Sequence, residues 1–288
     1  MTSASPKKVV IVGHSERPEA TVVALQAVEW LRKHGHTPVA QEVDIRSLGL
    51  DVDLCTTTDI ASAELVLSIG GDGTMLRSVT MLNGAAVPVL GINMGLLGYL
   101  AEVEPENLVA SLERFFADDY EIEKRLVIDV VVVKNDGSQS TWRALNEASF
   151  EKERTGQTVR LAVSIDGARF TTFQADGLLV ATPTGSTAYS LSARGPVVSP
   201  TLEAMLLTPL APHMLFDRSL VLGPTETIRI DVDGARSVGL AIDGQEVASL
   251  EGGASVTCSA SDCPALFVRM QPQRFHQILK AKFGLADR

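Results

Sequence analysis

A glycine-rich turn with one carboxylate is the part of the sequence best suited to chemistry: Gly70-Gly71-Asp72-Gly73-Thr74. A short apolar run at 65–69 precedes the turn and predicts a buried strand, and a helical pattern follows at 75–82. Strand, glycine turn and helix start form a common phosphate cradle, because backbone N–H groups and the helix dipole both favour an anion. A carboxylate repels phosphate, so Asp72 in such a cradle would hold Mg²⁺ or accept a proton from a hydroxyl. Alternatively, Asp72 caps the N-terminus of the helix.

Two later stretches carry side chains that suit a nucleotide. Asn146 and Glu147 offer a donor and several acceptors, as a ribose diol requires, although a solvated strand end would have the same composition. The hydroxyl-rich loop 182–192 follows an apolar run at 178–181 that predicts a buried strand, and a short helix is expected near Ala188 and Tyr189. Its hydroxyls beside an aromatic ring would hold a ribose, a ring and a phosphate.

The first half of the chain alternates strand and helix patterns. Strands are predicted at 7–13, 37–43, 65–69 and 87–92, and helices at 18–33, 75–82 and 105–117. The stretch 44–63 has no clear pattern. Such alternation predicts an open α/β domain with a parallel sheet, in which ligands bind beyond the carboxyl ends of the strands. The turn at 70–74 and the segment 93–99 both fall at such ends.

The second half has a different texture, with short β-branched runs separated by Asp-Gly turns. Strands are predicted at 125–133, 158–165, 168–173, 227–232 and 238–242, with turns at 135–138, 166–167, 233–234 and 243–244. We therefore expect an α/β domain over 1–124 and a β-rich, sandwich-like domain over 125–265. The tail 266–288 carries a helical pattern at 274–283 and is expected to pack back on the first domain.

Composition excludes several classes of protein. A net charge of −10 over 288 residues argues against a nucleic-acid binder, which would carry a basic face. Three cysteines without a secretory segment predict free thiols in a reducing compartment, and no apolar run approaches the ~20 residues of a membrane span. We therefore expect a cytoplasmic protein. The five histidines show no zinc-binding spacing, and the G-x-G-x-x-G, P-loop and G-x-S-x-G motifs are absent.

Taken in chain order, the motifs resemble those of the NAD kinase family. They are the 70–74 turn, Asn146-Glu147, Asp176-Gly177 and the run Thr182-Pro183-Thr184-Gly185-Ser186-Thr187-Ala188-Tyr189-Ser190-Leu191-Ser192. The segments 211–215 and 243–245 are similar to family segments too, and the resemblance spans about 9–283. It implies an α/β phosphate-donor domain joined to a β-rich NAD-binding domain. The implied reaction is phosphoryl transfer to the 2′-hydroxyl of the adenosine ribose of NAD, giving NADP. The phosphoryl donor would be either ATP, used together with the divalent metal Mg²⁺, or inorganic polyphosphate.

The resemblance also implies roles for individual residues. Asp72 would accept the proton of the 2′-hydroxyl with Gly73 beside it, and Asn146 and Glu147 would hold NAD, the carboxylate pairing with ribose hydroxyls. Asp176 would contact the nicotinamide or adenine end of NAD. The other residues assigned to the NAD site are Arg77, Thr184, Thr187, Ala188, Tyr189, Ser190, Leu191, Ser192 and Gln245. For Arg77, phosphate neutralisation competes with a solvated helix face.

The sequence departs from the family pattern at two positions. Many members carry Arg where Gln174 stands, and a basic residue where Gln157 stands, so the pyrophosphate contacts would need another cation, from Arg160 or a neighbouring subunit. Bacterial members are homo-oligomers, and a dimer or tetramer is expected by resemblance. Two competing functions are a lipid kinase, which uses a related glycine loop, and a NAD(P) sensor that binds without turnover.

Overall fold

The computed structural model describes residues 6–14, 16–96, 98–271 and 275–285. The described strands, in chain order, are β1 Lys8–Gly13, β2 Thr37–Ala40, β3 Asp53–Leu54, β4 Leu65–Gly70, β5 Val89–Asn93, β6 Glu121–Arg125, β7 Ile128–Val133, β8 Gln139–Ala144, β9 Glu147–Lys152, β10 Val159–Ile165, β11 Ala168–Ala175, β12 Gly177–Ala181, β13 Met205–Leu210, β14 Leu220–Leu222, β15 Thr227–Val232, β16 Val238–Ile242, β17 Gln245–Leu250, β18 Ser255–Ala260 and β19 Ala265–Arg269. The helices are α1 Pro18–Lys33, α2 Glu42–Leu48, α3 Thr57–Ala61, α4 Asp72–Leu82, α5 Leu108–Phe116, α6 Tyr189–Ser192 and α7 Phe275–Phe283, with 3-10 turns at Pro105–Asn107 and Thr184–Thr187.

The chain forms two compact units. Described residues up to Lys124 and from Ala265 onwards make unit 1, and Arg125 to Pro264 make unit 2. Unit 1 contains a seven-stranded sheet in the order β3-β2-β1-β4-β5-β19-β6. Strands β1 to β5 pair in parallel wherever they are neighbours, and β19 is parallel to β5. The predicted α/β domain with a parallel sheet is confirmed.

The direction in which successive strands are added reverses between β1 and β4. From β1 the chain moves outward to β2 and β3, whereas β4 is followed by β5 on the other side. In open α/β sheets the crevice at such a reversal, beyond the carboxyl ends of the strands, is the usual ligand site. In unit 1 those carboxyl ends are Gly13 and Gly70. The glycine turn at 70–74 therefore begins at this position.

The predictions for unit 1 are accurate for its central strands and for α1, and inaccurate after β2. Strands β1 and β4 are almost wholly buried apolar runs, as expected for central parallel strands, and α1 begins at Pro18 as predicted. The strand predicted at 37–43 is too long, because β2 ends at Ala40 and α2 follows. The unassigned stretch 44–63 contains most of α2, with β3 and α3.

The end of the chain contributes to unit 1 in two ways. Strand β19, which the sequence did not predict, lies between β5 and β6. In α7, Ile278 is buried, and the Phe275 ring lies 6.3 Å from that of Tyr99. The predicted helix at 274–283 starts one residue earlier than α7, at Arg274, which lies outside the described residues.

Unit 2 consists of two six-stranded sheets, β11-β10-β15-β18-β7-β8 and β14-β13-β12-β9-β16-β17. Neighbouring strands are antiparallel, and side chains from both sheets share one apolar core, so the predicted β-rich domain is confirmed. The turns at 166–167 and 243–244 close hairpins, with Asp166 and Asp243 at positive φ. The hairpin predicted around 233–234 is wrong, because β15 and β16 lie in different sheets.

The thiols of Cys55, Cys258 and Cys263 are free, as predicted, and the first two are buried. Among the described residues, no helix combines the length and apolarity needed to cross a membrane.

Candidate functional site

The glycine turn forms an open cradle in unit 1. Gly71 is the N-cap of α4 and Asp72 is its first residue. A Cβ at Gly70 would lie 2.1 Å from Thr74 Oγ1, so only glycine lets the strand end so close to the first turn of α4. A Cβ at Gly71 or Gly73 would meet no described atom within 4 Å. The backbone at these two positions is therefore accessible to a ligand.

The Asp72 carboxylate is fixed by a neighbouring loop. Its Oδ2 accepts a hydrogen bond from the Tyr99 N–H at 2.9 Å, and its Oδ1 accepts one from the Leu100 N–H at 3.0 Å. Gly71 and not Asp72 is the N-cap of α4, so the N-cap interpretation of Asp72 is wrong. A Cβ at Gly98 would lie 2.3 Å from Asp72 Oδ1, which explains the glycine there. Asp72 is thus held by the segment 93–99 and its extension to Leu100.

Arg77 forms an ion pair on the inner side of α4. Its Nη2 lies 2.7 Å from Asp44 Oδ1 and donates to the Gly13 carbonyl at 2.5 Å, while Nη1 donates to Asp44 Oδ2 at 3.2 Å. The solvated-face interpretation of Arg77 is therefore wrong. A cavity of about 270 Å³ at the ends of β1 and β4 is lined by Gly13, His14, Arg17, Gly71, Gly73, Thr74 and Arg77.

In unit 2 the backbone joins the two other candidate stretches. Strands β9 and β12 are paired so that Glu147 lies opposite Ala181. The Thr182 N–H donates to the Asn146 carbonyl at 2.8 Å, and a Cβ at Gly185 would lie 2.1 Å from that oxygen. Thr182 Oγ1 donates to the Leu145 carbonyl at 2.5 Å and accepts from the Gly185 N–H at 3.1 Å. Asn146-Glu147 and the hydroxyl-rich loop are therefore one structural feature.

Glu147 is the unusual carboxyl group of this feature. It is only 5% exposed, and its Oε2 has no hydrogen-bond partner among the described residues. Burial, with the charge of nearby Asp243 as the second cause, raises the pKa of Glu147 to about 7. A hydrogen bond from the Tyr189 backbone opposes this rise. A buried acceptor without a partner is costly unless a ligand supplies a donor, and a ribose hydroxyl is a suitable donor.

The other predicted residues of unit 2 surround this feature in different environments. Tyr189 is 37% exposed, and its hydroxyl donates to Glu151 Oε2 at 2.8 Å. Burial and that hydrogen bond raise the pKa of Tyr189 to about 12. Asp176 Oδ1 pairs with Lys152 Nζ at 2.6 Å. Ser192 and Gln245 are exposed, and Thr187, Ala188 and Leu191 are partly buried.

Two predicted residues, Thr184 and Ser190, are buried and contact other side chains. Thr184 Oγ1 accepts from Arg125 Nη1 at 3.2 Å, and Ser190 Oγ lies 3.4 Å from Thr208 Oγ1. Opposite Gln174 in the β10–β11 ladder stands Arg160, the suggested substitute cation. Its Nη2 pairs with Asp233 Oδ2 at 3.1 Å.

Three residues that contribute to these sites were missed by sequence analysis as site residues. The Asp243 carboxylate accepts hydrogen bonds from the N–H groups of Leu145, Asn146 and Glu147 at 2.7–3.1 Å, and so fixes that segment. Its Asp-Gly dipeptide indicated only a turn. Arg125 is 1% exposed and holds Thr184, and Asp44 is fully buried and holds Arg77. Charged residues within poorly patterned or β-branched stretches gave no signal.

The predicted site residues thus fall into two groups, one in each unit. Positions 70–77 lie in unit 1, and positions 146–192 with Gln245 lie in unit 2. The first group offers open backbone and a fixed carboxylate, which suits phosphate and a proton from a hydroxyl. The second offers a buried acceptor, hydroxyls and an aromatic ring, which suits a nucleoside. Across the described residues, no group of three or more His, Cys, Asp or Glu side chains is placed to hold a metal.

Comparison with sequence families assigns both units. Residues 9–120 match the ATP-NAD kinase N-terminal domain, and residues 145–270 match the ATP-NAD kinase C-terminal domain. The chain is 35% identical over 277 residues to an NAD kinase of Moorella thermoacetica, covering 96% of this chain and 89% of that protein. It is 36% identical over 291 residues to NAD kinase 2 of Streptomyces avermitilis, covering 99% of this chain and 97% of that protein.

Solved structures show the same fold. Yeast NADH kinase complexed with NADH superimposes with a TM-score of 0.91 at 25% identity, covering 99% of this chain and 89% of that chain. An NAD kinase from Archaeoglobus fulgidus in complex with ATP gives a TM-score of 0.74 at 24% identity, covering 97% of this chain and 100% of that chain.

Proposed function

The chain belongs to the NAD kinase family, and from this premise we propose how its own residues phosphorylate NAD to NADP. It is a phosphotransferase whose product carries the new phosphate on the 2′-hydroxyl of the adenosine ribose. Unit 1 would bind the phosphate chain of the donor, and unit 2 would bind NAD. The fixed carboxylate of Asp72 in an otherwise amide-lined turn carries this proposal.

Asp72 would accept the proton of the 2′-hydroxyl as the phosphoryl group is transferred. Phosphoryl transfer depends mainly on positioning and charge neutralisation, and a pre-oriented base adds typically about 10²–10⁴-fold in rate. The bonds from Tyr99 and Leu100 to Asp72 support this role, because they hold the carboxylate without neutralising it. The open backbone at Gly71 and Gly73 would hold phosphate oxygens.

Unit 2 would bind NAD through its polar groups. Glu147 would accept hydrogen bonds from ribose hydroxyls through its unpartnered Oε2, with Asn146 beside it. Tyr189 would pack on a ring or ribose, and Asp176 would contact one end of the dinucleotide. The loop residues Thr184, Thr187, Ala188, Ser190, Leu191 and Ser192 would line the site, with Gln245 as a further contact. Asp243 would keep Asn146 and Glu147 in place.

A divalent metal would serve as cofactor, with ATP or inorganic polyphosphate as donor. Mg²⁺ is usually held by one or two carboxylates together with substrate phosphates and water, so the phosphate chain of the donor would supply part of its ligands. Bound there, the ion would neutralise charge on the phosphate oxygens. The family descriptions support ATP as donor.

We also infer a cytoplasmic location and a homo-oligomer. Two buried free thiols, Cys55 and Cys258, support a reducing compartment. The family resemblance supports a dimer or tetramer, which sedimentation velocity would identify. A monomer at micromolar concentration would contradict the oligomer.

The test of function is direct. Purified protein is mixed with NAD, Mg²⁺ and either ATP or polyphosphate, and NADP is measured with an NADP-specific dehydrogenase. We expect NADP with at least one donor. Binding of NAD without product would instead support the sensor, and phosphorylation of diacylglycerol in place of NAD would support the lipid kinase.

A further inference from the structure

A buried carboxylate links three elements of unit 1 beside the proposed donor site. Asp44 lies in α2 and its side chain is fully buried. Its Oδ1 accepts from the Gly13 N–H at 2.9 Å, at the end of β1. Its two oxygens also accept from Arg77 of α4, at 2.7 and 3.2 Å. Asp44 therefore joins α2, the carboxyl end of β1 and the helix that follows the glycine turn.

This arrangement fixes the plane of the Arg77 guanidinium. A guanidinium has five N–H groups in a rigid fork. The carboxylate of Asp44 and the carbonyl of Gly13 account for three hydrogen bonds from Arg77. Among the described residues no other acceptor takes the remaining two N–H groups of Arg77, whose side chain is 34% exposed. Arg77 lines the same cavity as the open backbone of Gly71 and Gly73.

The chemistry of this cavity suits the phosphate chain of a donor. It contains open glycine backbone, the first turn of α4 and two guanidinium groups, Arg17 and Arg77. Arg77 is fixed by its hydrogen bonds to Asp44 and Gly13, whereas Arg17 is exposed and donates to the Met94 carbonyl. A guanidinium that is already fixed loses less conformational entropy when it binds an anion. Arg77 should therefore contribute more than Arg17 to the affinity for a polyanion.

We propose that Asp44 is a positioning residue for the phosphoryl donor: it orients Arg77 so that the guanidinium binds the donor's phosphate chain. The inference rests on the proposed function, because it concerns the affinity of the kinase for its donor. It assigns Arg77 to the donor, whereas the family resemblance assigned Arg77 to the NAD site. Asp44 itself does not touch the donor. A residue needed only for folding would change the kinetic constants for NAD and for the donor alike.

The experiment measures KM for ATP and KM for NAD separately in full-length wild type, Asp44→Asn, Arg77→Met and the double variant. We expect Asp44→Asn to raise KM for ATP about tenfold or more, with KM for NAD within twofold of wild type. In the Arg77→Met background, Asp44→Asn should add nothing further to KM for ATP. Asp231 of unit 2, which is partly buried and paired with the exposed Arg229, provides the control Asp231→Asn, which should change neither constant.

Arg77→Lys covers the case in which Asp44→Asn fails to fold, because it keeps a cation opposite the buried carboxylate but removes the fork. We expect a raised KM for ATP and a thermal midpoint close to that of wild type. Unchanged KM for ATP in the folded variants, an equal rise in KM for NAD, or additive effects in the double variant would overturn the proposal. An inactive wild type would instead contradict the proposed function.

Discussion

Two carboxyl groups, Asp72 and Glu147, illustrate how environment separates chemical roles at the residue scale. Asp72 accepts two backbone hydrogen bonds in a partly exposed turn, an arrangement that suits a base. Glu147 is buried with an unpartnered oxygen, and its pKa is raised to about 7. Burial of a carboxyl group without a full set of partners costs stability, which is common at binding sites.

Glu147→Gln tests this cost through pH. The native pKa of Glu147 is about 7, above its ordinary value of 4.5. Between pH 4.5 and about pH 7 the native state binds more protons at Glu147 than the unfolded state does. The free energy of unfolding of the wild type therefore falls as the pH rises. We expect the advantage of Glu147→Gln over wild type, from urea unfolding, to grow by about 2 kcal/mol between pH 5 and pH 8. The exposed Glu106→Gln serves as control; an advantage that does not vary with pH would contradict the assignment.

Thr184 offers a second test at the residue scale. Its Oγ1 accepts from the buried Arg125 guanidinium at 3.2 Å. Thr184→Val keeps the shape but removes the acceptor, so we expect a loss of about 1–3 kcal/mol in the free energy of unfolding. Thr184→Ser keeps the hydroxyl and should lose less than half as much. Equal losses in the two variants would show that the hydrogen bond is unimportant.

At the scale of elements, the sequence predicted structure where patterns were long and local. Helix α1, β4 and the turns at 166–167 and 243–244 were found from periodicity and turn chemistry. The Asp233-Gly234 dipeptide misled, because local turn chemistry cannot reveal that the next strand joins another sheet. The glycine turn and the segment 93–99 were both expected at strand ends, but the hydrogen bonds from Tyr99 and Leu100 to Asp72 were not predicted, because backbone donors leave no signature in side-chain type.

Gly98→Ala tests whether that loop positions Asp72. The added Cβ would lie 2.3 Å from Asp72 Oδ1, so the carboxylate must rotate away from the amides that hold it. We expect kcat to fall at least about tenfold, because small misplacements of reacting groups are costly, while both units stay folded by circular dichroism. Gly223→Ala, where the new Cβ would make an ordinary contact at 3.5 Å, should leave kcat unchanged. Full activity of Gly98→Ala would refute the positioning role.

At the scale of the whole molecule, the sequence indicated two domains and a tail that returns to the first, but not that this tail supplies an interior strand. Strand β19 lies between β5 and β6, although it is separated from them in sequence by all of unit 2. Such non-local pairing cannot be read from a strand of five residues, four of them apolar. The assignment of chemistry to two units came from motif resemblance, whereas Asp44, Arg125 and Asp243 became visible only through their contacts.

Truncation from the C-terminal side tests the contribution of β19. Removal of all residues from 265 onwards deletes an interior strand with fully buried Phe267 and Val268, each worth about 1.5–3 kcal/mol. We expect this truncation to leave unit 1 unfolded. Removal from 275 onwards deletes α7 and the residues after it but keeps β19, so it should lower the thermal midpoint while leaving both units folded. Heteronuclear NMR spectra distinguish the cases; a folded unit 1 without β19 would contradict the sheet order.

The measurement that tests the central claim most directly is a single turnover of NAD by wild type and Asp72→Asn, with the 2′-phosphate detected by ³¹P NMR. If Asp72 accepts the proton of the 2′-hydroxyl, the variant should form NADP at least about 100-fold more slowly while binding NAD with unchanged affinity. A wild-type rate in Asp72→Asn, or a phosphate at another position of NAD, would contradict the account.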